Sequence, residues 1–313
     1  MSDEKAADEH PPRWFVLVVG LPIADDAFDL GTGLVLRRLP TELSVFDLAA
    51  AGAVGFREWA VLEPLARAAT AEIESQAEAA KKPGYDALNR VWLVSALLFL
   101  RGFQRHLCPA VSAYPWSQIA GHLDLSGLRR GDQPRRVEPK PDLPQFRGGL
   151  LDFHLRMFRF DSSDEATFSA TDAKWIREHL DTFDRLAAAD RRFRFALEAT
   201  MDSRYAKDAR AAIARVWSGI ESIFDVSSEL VFRLSLMLAT TLAPRGPERL
   251  ALFERSKKLY GLRSKAVHGA EIEEGRLTQG LIESWDLLRR LVLDAVQRGA
   301  MRTEADFNEA IFG

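Results

Sequence analysis

The segment 259–269, with the sequence LYGLRSKAVHG, brings together residue types that can act on a phosphate ester. Its polar residues Tyr260, Ser264 and His268 recur every four positions, so a helix would place them in one row. A hydroxyl can position a phosphate oxygen, and an imidazole titrates near neutral pH, where it can donate or accept a proton. The spacing therefore predicts a polar row suited to acid–base chemistry.

An arginine and a glycine complete this segment. Arg263 lies five residues before His268, and its long side chain could bring an always-charged guanidinium near the imidazole. Gly269 is predicted to end the helix in the left-handed conformation, which places His268 in the last turn. The combination predicts a site for phosphate chemistry. The alternative is a helix-end histidine that is hydrogen-bonded to the turn.

The same Arg-x4-His pattern occurs a second time, at Arg101 and His106. The residues around that copy are mostly apolar, with Phe103 between the two, so it is predicted to be an ordinary helix end. The pattern alone is weak evidence, and the context of each copy must decide its meaning.

Two further runs lie upstream of the segment 259–269: WSGIESIF at 217–224 and ELVFRLSL at 229–236. Together with that segment they make the C-terminal third of the chain resemble Apea-like HEPN domains. These are all-helical modules that often act as RNA-cleaving toxins or defence proteins. The N-terminal half resembles them only in general pattern.

The resemblance implies metal-independent cleavage of RNA, in which the ribose 2′-hydroxyl attacks the adjacent phosphate. The products would be a cyclic phosphate and a free 5′-hydroxyl, and no cofactor or metal is expected. His268 would act as general base or acid, and Arg263 would stabilise charge that develops on the phosphoryl oxygens. Ser264 or Tyr260 would position a phosphate. Many active HEPN nucleases carry Asn, Asp or His directly after the arginine, whereas Ser264 is usual in the Apea-like branch.

HEPN domains typically pair, so the resemblance also predicts a homodimer through the helices around 245–269. A second histidine would then supply the acid that the first, acting as base, cannot. The biological setting implied is a toxin or anti-phage defence system. The competing hypothesis is a non-catalytic module that binds RNA or a partner protein. A nucleotide-binding regulator is disfavoured because the chain has no Gly-x4-Gly-Lys-Ser/Thr phosphate loop.

Two charged residues, Glu221 and Arg233, are predicted to lie on otherwise apolar helices. Because an unpaired buried charge is costly, each is expected to have a partner. One hypothesis pairs the two residues as a structural ion pair. The other has Glu221 face the cleft and orient Arg263 or His268.

Charge is close to balanced over the whole chain, at a formal net charge of −3, but it is uneven locally. Residues 245–265 carry seven basic and two acidic side chains. Such a patch can hold a phosphate backbone on a nearly neutral protein, or it can be a solvated helix face. On the first hypothesis, RNA contacts are expected from Lys257, Lys258 and Lys265.

The composition is that of an ordinary globular protein with room for two domains, since 47% of 313 residues are hydrophobic and 28% are charged. The single Cys108 excludes an intrachain disulfide and a multi-cysteine zinc site. Residues 1–12 are polar and acid-rich, which predicts a disordered lead and not a signal peptide. The apolar runs at 91–100 and 230–243 are too short to span a membrane, so we expect a cytoplasmic protein without a membrane partner.

The N-terminal part, residues 13–165, is predicted to be a mixed α/β domain. Loop 127–149 is rich in proline and arginine, and it either contacts RNA or forms a solvated connection. Strands are expected at 14–20, 31–37 and 150–160 and near Val111, and helices at 56–80 and 86–105.

The C-terminal part, residues 171–313, is predicted to be an all-α, HEPN-like helix bundle, which makes the whole fold predominantly α. Thr171 or Asp172 is expected to cap its first helix, and Ser227 or Ser228 its fourth. Helices are expected at 171–189, 193–201, 206–224, from 227–228 to Pro244, from Gly246-Pro247 to Gly269, and at 277–298, with a terminal turn at 304–311.

Overall fold

The protein, seen here in a computed structural model, forms two compact units. The first comprises Met1–Phe153 and Asp164–Glu178, and the second comprises His154–Ser163 and His179–Gly313. The structure describes residues 13–44, 64–65, 67–76, 87–112, 114–119, 123–124, 135–136, 148–150, 160, 166–226 and 230–312. The lead predicted at 1–12 lies outside these ranges.

The first unit contains an antiparallel sheet and a two-stranded ribbon. The strands are β1 (Arg13–Val19), β2 (Ala27–Gly31), β3 (Leu34–Arg38), β4 (Ala69–Gln76), β5 (Ala110–Ser112), β6 (Leu123–Asp124), β7 (Arg135–Arg136) and β8 (Gly148–Leu150). The six-stranded sheet has the order β2-β3-β4-β1-β5-β8, and every neighbouring pair is antiparallel. Strands β6 and β7 pair with each other.

The core of this unit is organised around its central strands. Strand β1 reads RWFVLVV, and its last five residues are buried because β4 and β5 flank it. Helix α1 (Ala87–Leu100) contacts both β1 and β4. Its side chains from Ala96 to Leu100 are fully buried, so helix and sheet share one apolar core.

The helix predicted at 56–80 agrees with the structure at Pro64, Leu65 and Arg67, which are helical, but it is wrong over Ala69–Gln76, which is strand β4. The sequence ATAEIESQ favours a helix by intrinsic propensity. In the sheet, however, β4 hydrogen-bonds to β1 on one side and to β3 on the other. Side chains on both faces of β4 are buried, so the period-two alternation that would signal a strand is hidden.

Burying both faces of β4 places the carboxylates of Glu72 and Glu74 inside the protein. The backbone N–H of Trp116 donates to Glu72 over 2.6 Å, while Arg13 and Arg37 form ion pairs with Glu74. Burial raises the pKa of Glu72 above its ordinary value, and the hydrogen bonds from Trp116 and its neighbour only partly oppose this. Buried charge in this sheet is therefore balanced by partners from distant parts of the chain.

The strand expected at 14–20 is β1, and the strand near Val111 is β5. The strand expected at 31–37 is confirmed only from Leu34, where β3 begins, because Gly31 ends β2 and residues 32–33 form the turn between them. Strand β2, the hairpin partner of β3, was not predicted. The helix expected at 86–105 is α1, which ends at Leu100. Most of the loop 127–149 and of the strand predicted at 150–160 lies outside the described residues.

The C-terminal part of the chain is helical, as predicted. Its helices are α3 (Ala170–Ala189), α4 (Arg191–Asp202), α5 (Ala209–Phe224), α6 (Leu230–Leu242), α7 (Pro247–Val267), α8 (Glu274–Arg298) and α9 (Glu304–Phe312), and a short helix α2 (Trp116–Ile119) lies in the first unit. Residues Ala170–Glu178 of α3 belong to the first unit, and the rest of that helix belongs to the second.

The starts of these helices follow the local sequence. The side chain of Asp190 accepts from backbone amides of α4, and that of Asp208 accepts from the Ala211 amide at 2.8 Å. Helix α7 begins at Pro247 after Gly246, as predicted. The cap predicted at Ser227 or Ser228 lies outside the described residues.

The first of these helices begins one residue earlier than predicted. Helix α3 starts at Ala170, so neither Thr171 nor Asp172 is its N-cap. The residue before the helix is Ser169, whose hydroxyl donates to the Asp172 carboxylate over 2.7 Å and whose amide donates to it over 3.1 Å. Asp172 is the third residue of α3, and it therefore occupies the position of the acidic residue in a capping box.

Helix α5 is central to the second unit, since it contacts α4, α7 and α8. Gly219 permits this close packing, because a Cβ there would lie 2.8 Å from the Cβ of Ala199 and 2.9 Å from the Cδ2 of Leu288. The indole of Trp217 donates to the hydroxyl of Ser284 on α8 over 3.0 Å. This packing fixes α5 beside the helix that carries the segment 259–269.

Candidate functional site

Helix α7 carries the predicted motif in the expected register. Leu259, Leu262 and Ala266 are buried, so the apolar row faces the core as the spacing predicted. The helix ends at Val267, and Gly269 has a φ of +75°, the left-handed conformation expected for the residue that ends it.

Arg263 points towards α5, where it meets Glu221. Nη2 of Arg263 lies 3.1 Å from Oε1 of Glu221, and the two side chains are 21% and 26% exposed. In the described part of the chain, Nε of Arg263 and Oε1 of Glu221 are buried without a hydrogen-bond partner. The pair is therefore held by charge, and its hydrogen-bonding capacity is only partly used.

Tyr260 completes a cluster with these two residues, which we call the Arg263 cluster (Glu221, Tyr260 and Arg263). The guanidinium carbon of Arg263 lies 5.4 Å from the centre of the Tyr260 ring, and the ring packs edge-on against Trp217 at 5.2 Å. Burial raises the pKa of the Tyr260 hydroxyl, Glu221 adds to the increase, and Arg263 opposes it. The hydroxyl is therefore protonated at neutral pH, and it donates a hydrogen bond to Glu221.

The polar row predicted along α7 runs from the core to the surface. Tyr260 is buried, Ser264 is half-buried and His268 is exposed. His268 is the C-cap of the helix, and its backbone N–H donates to the carbonyl of Ser264 over 3.1 Å. Five helical residues correspond to a rotation of roughly 140°, so Arg263 and His268 leave the helix in different directions. Arg263 faces Glu221, and among the described contacts none joins it to His268.

The two hypotheses for Glu221 and Arg233 have different outcomes. The ion pair of Glu221 is with Arg263, which agrees with the hypothesis that Glu221 orients the arginine of the motif. Arg233 is exposed on α6, so the expectation that this charge is buried on an apolar helix is wrong. The first turn of α6 is exposed at Val231 and Phe232 as well, so Arg233 lies in a solvent-facing part of the helix.

Arg210 is a site residue that the sequence analysis missed. From the start of α5 it donates through Nη1 to the carbonyl of Ala266 over 3.1 Å and through Nη2 to that of Ala270 over 2.8 Å. These carbonyls lie on either side of His268, so one guanidinium fastens both ends of the turn that carries the imidazole. The sequence of the segment 259–269 contains no indication of this contact, because Arg210 lies far from that segment in the chain.

The three lysines expected to bind RNA lie on α7. Lys258 and Lys265 are exposed. Lys257 lies 3.3 Å from the Glu254 carboxylate, and its ammonium group is 5.1 Å from the centre of the Phe253 ring. Arg255, a further basic residue of this helix, forms an ion pair with Glu283 of α8. The basic patch is thus partly neutralised, and Lys258 and Lys265 contribute to its exposed charge.

The two residues of the second Arg-x4-His copy make separate contacts, and they are not the predicted helix end, because α1 ends at Leu100 and His106 lies six residues beyond it. Arg101 forms a 2.7 Å ion pair with Asp172 and lies over the ring of Trp175. His106 is fully buried, with Nδ1 2.6 Å from the Phe103 carbonyl and Nε2 2.6 Å from the Ser95 hydroxyl. Since a carbonyl only accepts, Nδ1 donates to it and Nε2 accepts from Ser95, which uses both ring nitrogens.

Within the described residues, no group of three or more histidine, cysteine, aspartate or glutamate side chains is placed to hold a metal ion. None of the helices described is both long and apolar enough to cross a membrane. Cys108 is half-buried.

Comparison with known proteins finds no matching family model, no matching curated protein and no matching solved structure. The resemblance to Apea-like HEPN domains therefore stays a prediction from the sequence. What the structure adds is a defined set of contacts around the residues that carry it.

Proposed function

We propose that the helical second unit is a metal-independent endoribonuclease of HEPN type. The observation that carries this proposal is that Glu221 and Tyr260 hold Arg263 in place while its side chain stays 21% exposed. A guanidinium that is fixed and partly exposed is suited to a phosphate, whose oxygens accept its hydrogen bonds. Ser264 and the exposed His268 follow along the same helix.

In the proposed reaction, His268 takes the proton from the ribose 2′-hydroxyl. The 2′-oxygen then forms a bond to phosphorus as the bond from phosphorus to the 5′-oxygen breaks, which leaves a 2′,3′-cyclic phosphate. Arg263 stabilises the charge on the phosphoryl oxygens, and Ser264 positions one of them. Tyr260 is buried and donates to Glu221, so its proposed role is to orient the cluster.

The departing 5′-oxygen needs a proton from a second acid. We propose that His268 of a second protomer supplies it, in a homodimer whose two α7 helices approach each other at their His268 ends. Closed two-fold symmetry brings the same residue of both copies to one axis. A role in toxin or anti-phage defence and a cytoplasmic location are part of the same proposal, and they depend on the sequence resemblance alone.

The competing function is a non-catalytic module that binds RNA or a partner protein. The Glu221–Arg263 ion pair is compatible with a binding module, because such a pair can help to hold a fold together without taking part in a reaction. The two functions differ in what happens to bound RNA, so a cleavage assay separates them.

The test is cleavage of total RNA by the full chain in EDTA, with thermal melting of each variant measured in parallel. His268→Ala should lower the rate by a factor of about 10²–10⁴ and change stability by no more than about 1 kcal/mol. The neighbouring exposed residue Val267 provides the matched control, and Val267→Ala should cleave like the parent. If His268→Ala also cleaves like the parent, the nuclease proposal is wrong and the binding module is favoured.

Arg263 is tested in the same assay. Arg263→Ala should lose a comparable factor, and Arg263→Lys should restore only part of it, because a point charge cannot donate two parallel hydrogen bonds. The double variant with His268→Ala should lose far less than the product of the two factors, since both residues serve one transition state. Losses that multiply would contradict a shared site.

A further inference from the structure

A pair of aromatic rings, one exposed and one half-buried, lies where α6 and α7 pack together. Phe232 of α6 is 55% exposed, and its ring meets that of Phe253 edge-on, with centroids 5.6 Å apart. Val231 and Leu250, on the same two helices, are also exposed large hydrophobic residues. Apolar side chains left in water next to one another on a folded protein indicate a binding surface.

A cation accompanies these rings. The ammonium group of Lys257 lies 5.1 Å from the centre of the Phe253 ring, one helical turn further along α7. We call Phe232, Phe253 and Lys257 the aromatic platform. Arg233 and Lys258 are exposed beside it, so positive charge borders the rings.

Helix geometry connects the platform to the proposed active site. Phe253, Lys257, Ser264 and His268 are spaced by four, seven and four residues, which keeps them on one side of α7. At a rise of 1.5 Å per residue, the line from Phe253 to His268 spans roughly 22 Å. Gly261 lies between the two ends, and a Cβ added there would meet nothing within 4 Å, so this side of the helix is open.

The charges on this surface favour a polyanion over a second copy of the chain. The cores of protein interfaces are depleted in lysine, whereas here Lys257 belongs to the platform and Lys258 is exposed next to it in sequence. A two-fold contact centred on the platform would also bring these like charges of the two copies together. Aromatic faces bordered by lysines are the arrangement that binds single-stranded nucleic acid, with bases stacked on the rings and phosphates near the cations.

We propose that the aromatic platform binds the bases of single-stranded RNA and directs the strand along α7 towards Ser264 and His268. Cleavage of the strand near His268 rests on the proposed nuclease function. Binding of the strand to the platform does not. Phe232 provides the exposed ring, and Lys257 provides a phosphate contact once it exchanges Glu254 for the RNA backbone. The substrate of the proposed nuclease would therefore be unpaired RNA, held by Phe232 and Lys257.

The binding test uses a fluorescent, single-stranded RNA of about 12 nucleotides, the length scale of such sites, with every ribose 2′-O-methylated so that it cannot be cut. Binding to the full chain is followed by fluorescence anisotropy. Phe232→Ala should weaken binding by about five- to hundredfold, the effect of losing one stacked base. Phe312 of α9 is 81% exposed and is not part of the aromatic platform, so Phe312→Ala is the control that should bind like the parent.

Two further variants test the charge and the path. Lys257→Gln should reduce the slope of log affinity against log salt by about 0.7, the value for one phosphate contact on a single strand, while Phe232→Ala leaves the slope unchanged. Gly261→Glu places a negative charge on the open side of α7, where a Cβ meets nothing within 4 Å, and it should weaken binding without lowering the melting temperature.

The outcomes separate this inference from the proposed nuclease. It is overturned if the parent does not bind the RNA, if Phe232→Ala binds like the parent, or if Phe232→Ala converts a dimer into a monomer in sedimentation, which would make a second copy the occupant. Weakened binding by Phe232→Ala without cleavage in any variant supports the platform and refutes the nuclease. Cleavage that depends on His268 but not on Phe232 supports the nuclease and refutes the platform.

Discussion

Replacing Glu221 by glutamine should destabilise the second unit measurably. The change removes the charge that lies 3.1 Å from Arg263 and weakens the acceptor of the Tyr260 hydroxyl. Breaking a fully buried pair costs about 3–5 kcal/mol, whereas exposed pairs contribute about 0.2–1 kcal/mol. Because both side chains are about a quarter exposed, we expect a loss of about 1–3 kcal/mol in the free energy of unfolding.

The measurement is a double-mutant cycle of Glu221→Gln and Arg263→Gln in urea, followed by tryptophan fluorescence. Trp217 contacts the Tyr260 ring, so it reports on the cluster, and a Trp217→Phe reference identifies its signal. If the pair is coupled, the double variant should be more stable than the sum of the single losses predicts, by about 0.5–3 kcal/mol.

Two results would refute this reasoning about Glu221. Additive losses would mean that the 3.1 Å contact contributes no interaction energy in solution. Unchanged stability together with lost RNA cleavage would mean that Glu221 belongs to the chemistry and not to the scaffold.

Three further predictions test the packing around this site and the buried charge of the sheet. Gly219→Ala should destabilise the second unit by about 1–3 kcal/mol in thermal melts, because the new Cβ would lie too close to the Cβ of Ala199, which moves only if its helix moves. Gly261→Ala should stabilise the unit by about 0.5–1 kcal/mol, because its Cβ meets nothing within 4 Å and alanine favours the helix over glycine. Arg210→Ala should speed hydrogen exchange at the His268 amide and lower any RNA cleavage, since the carbonyls of the turn lose their donor. The pKa of Glu72 is raised in the folded protein, so its stabilising contribution is present below the ordinary pKa of 4.5 and is lost as pH rises through the folded-state pKa. The melting temperature of Glu72→Gln minus that of the parent should therefore increase from about pH 4 to about pH 7, and a constant difference would contradict this sign.

The sequence by itself determined the features that depend on residues close to one another. The start of α7 at Gly246 and Pro247, its buried row of Leu259 and Leu262, and its left-handed end at Gly269 all follow from local spacing and local backbone preference. The division into a mixed α/β part and a helical part was predictable for the same reason, since periodicity accumulates over many residues.

Only the tertiary structure decided which residues meet. Strand β4 has an alanine-rich sequence that favours a helix, and it is a strand because β1 and β3 supply its hydrogen bonds. Arg263 faces Glu221 and not His268, because α5 packs on that side of α7.

The clamp by Arg210 on the turn around His268 likewise joins the start of one helix to the end of another. Local spacing fixes the direction in which a side chain leaves its own helix. The residue that the side chain meets depends on how separate helices and strands pack. That packing is set by burial of the whole core, so it cannot be predicted from any short segment of the sequence.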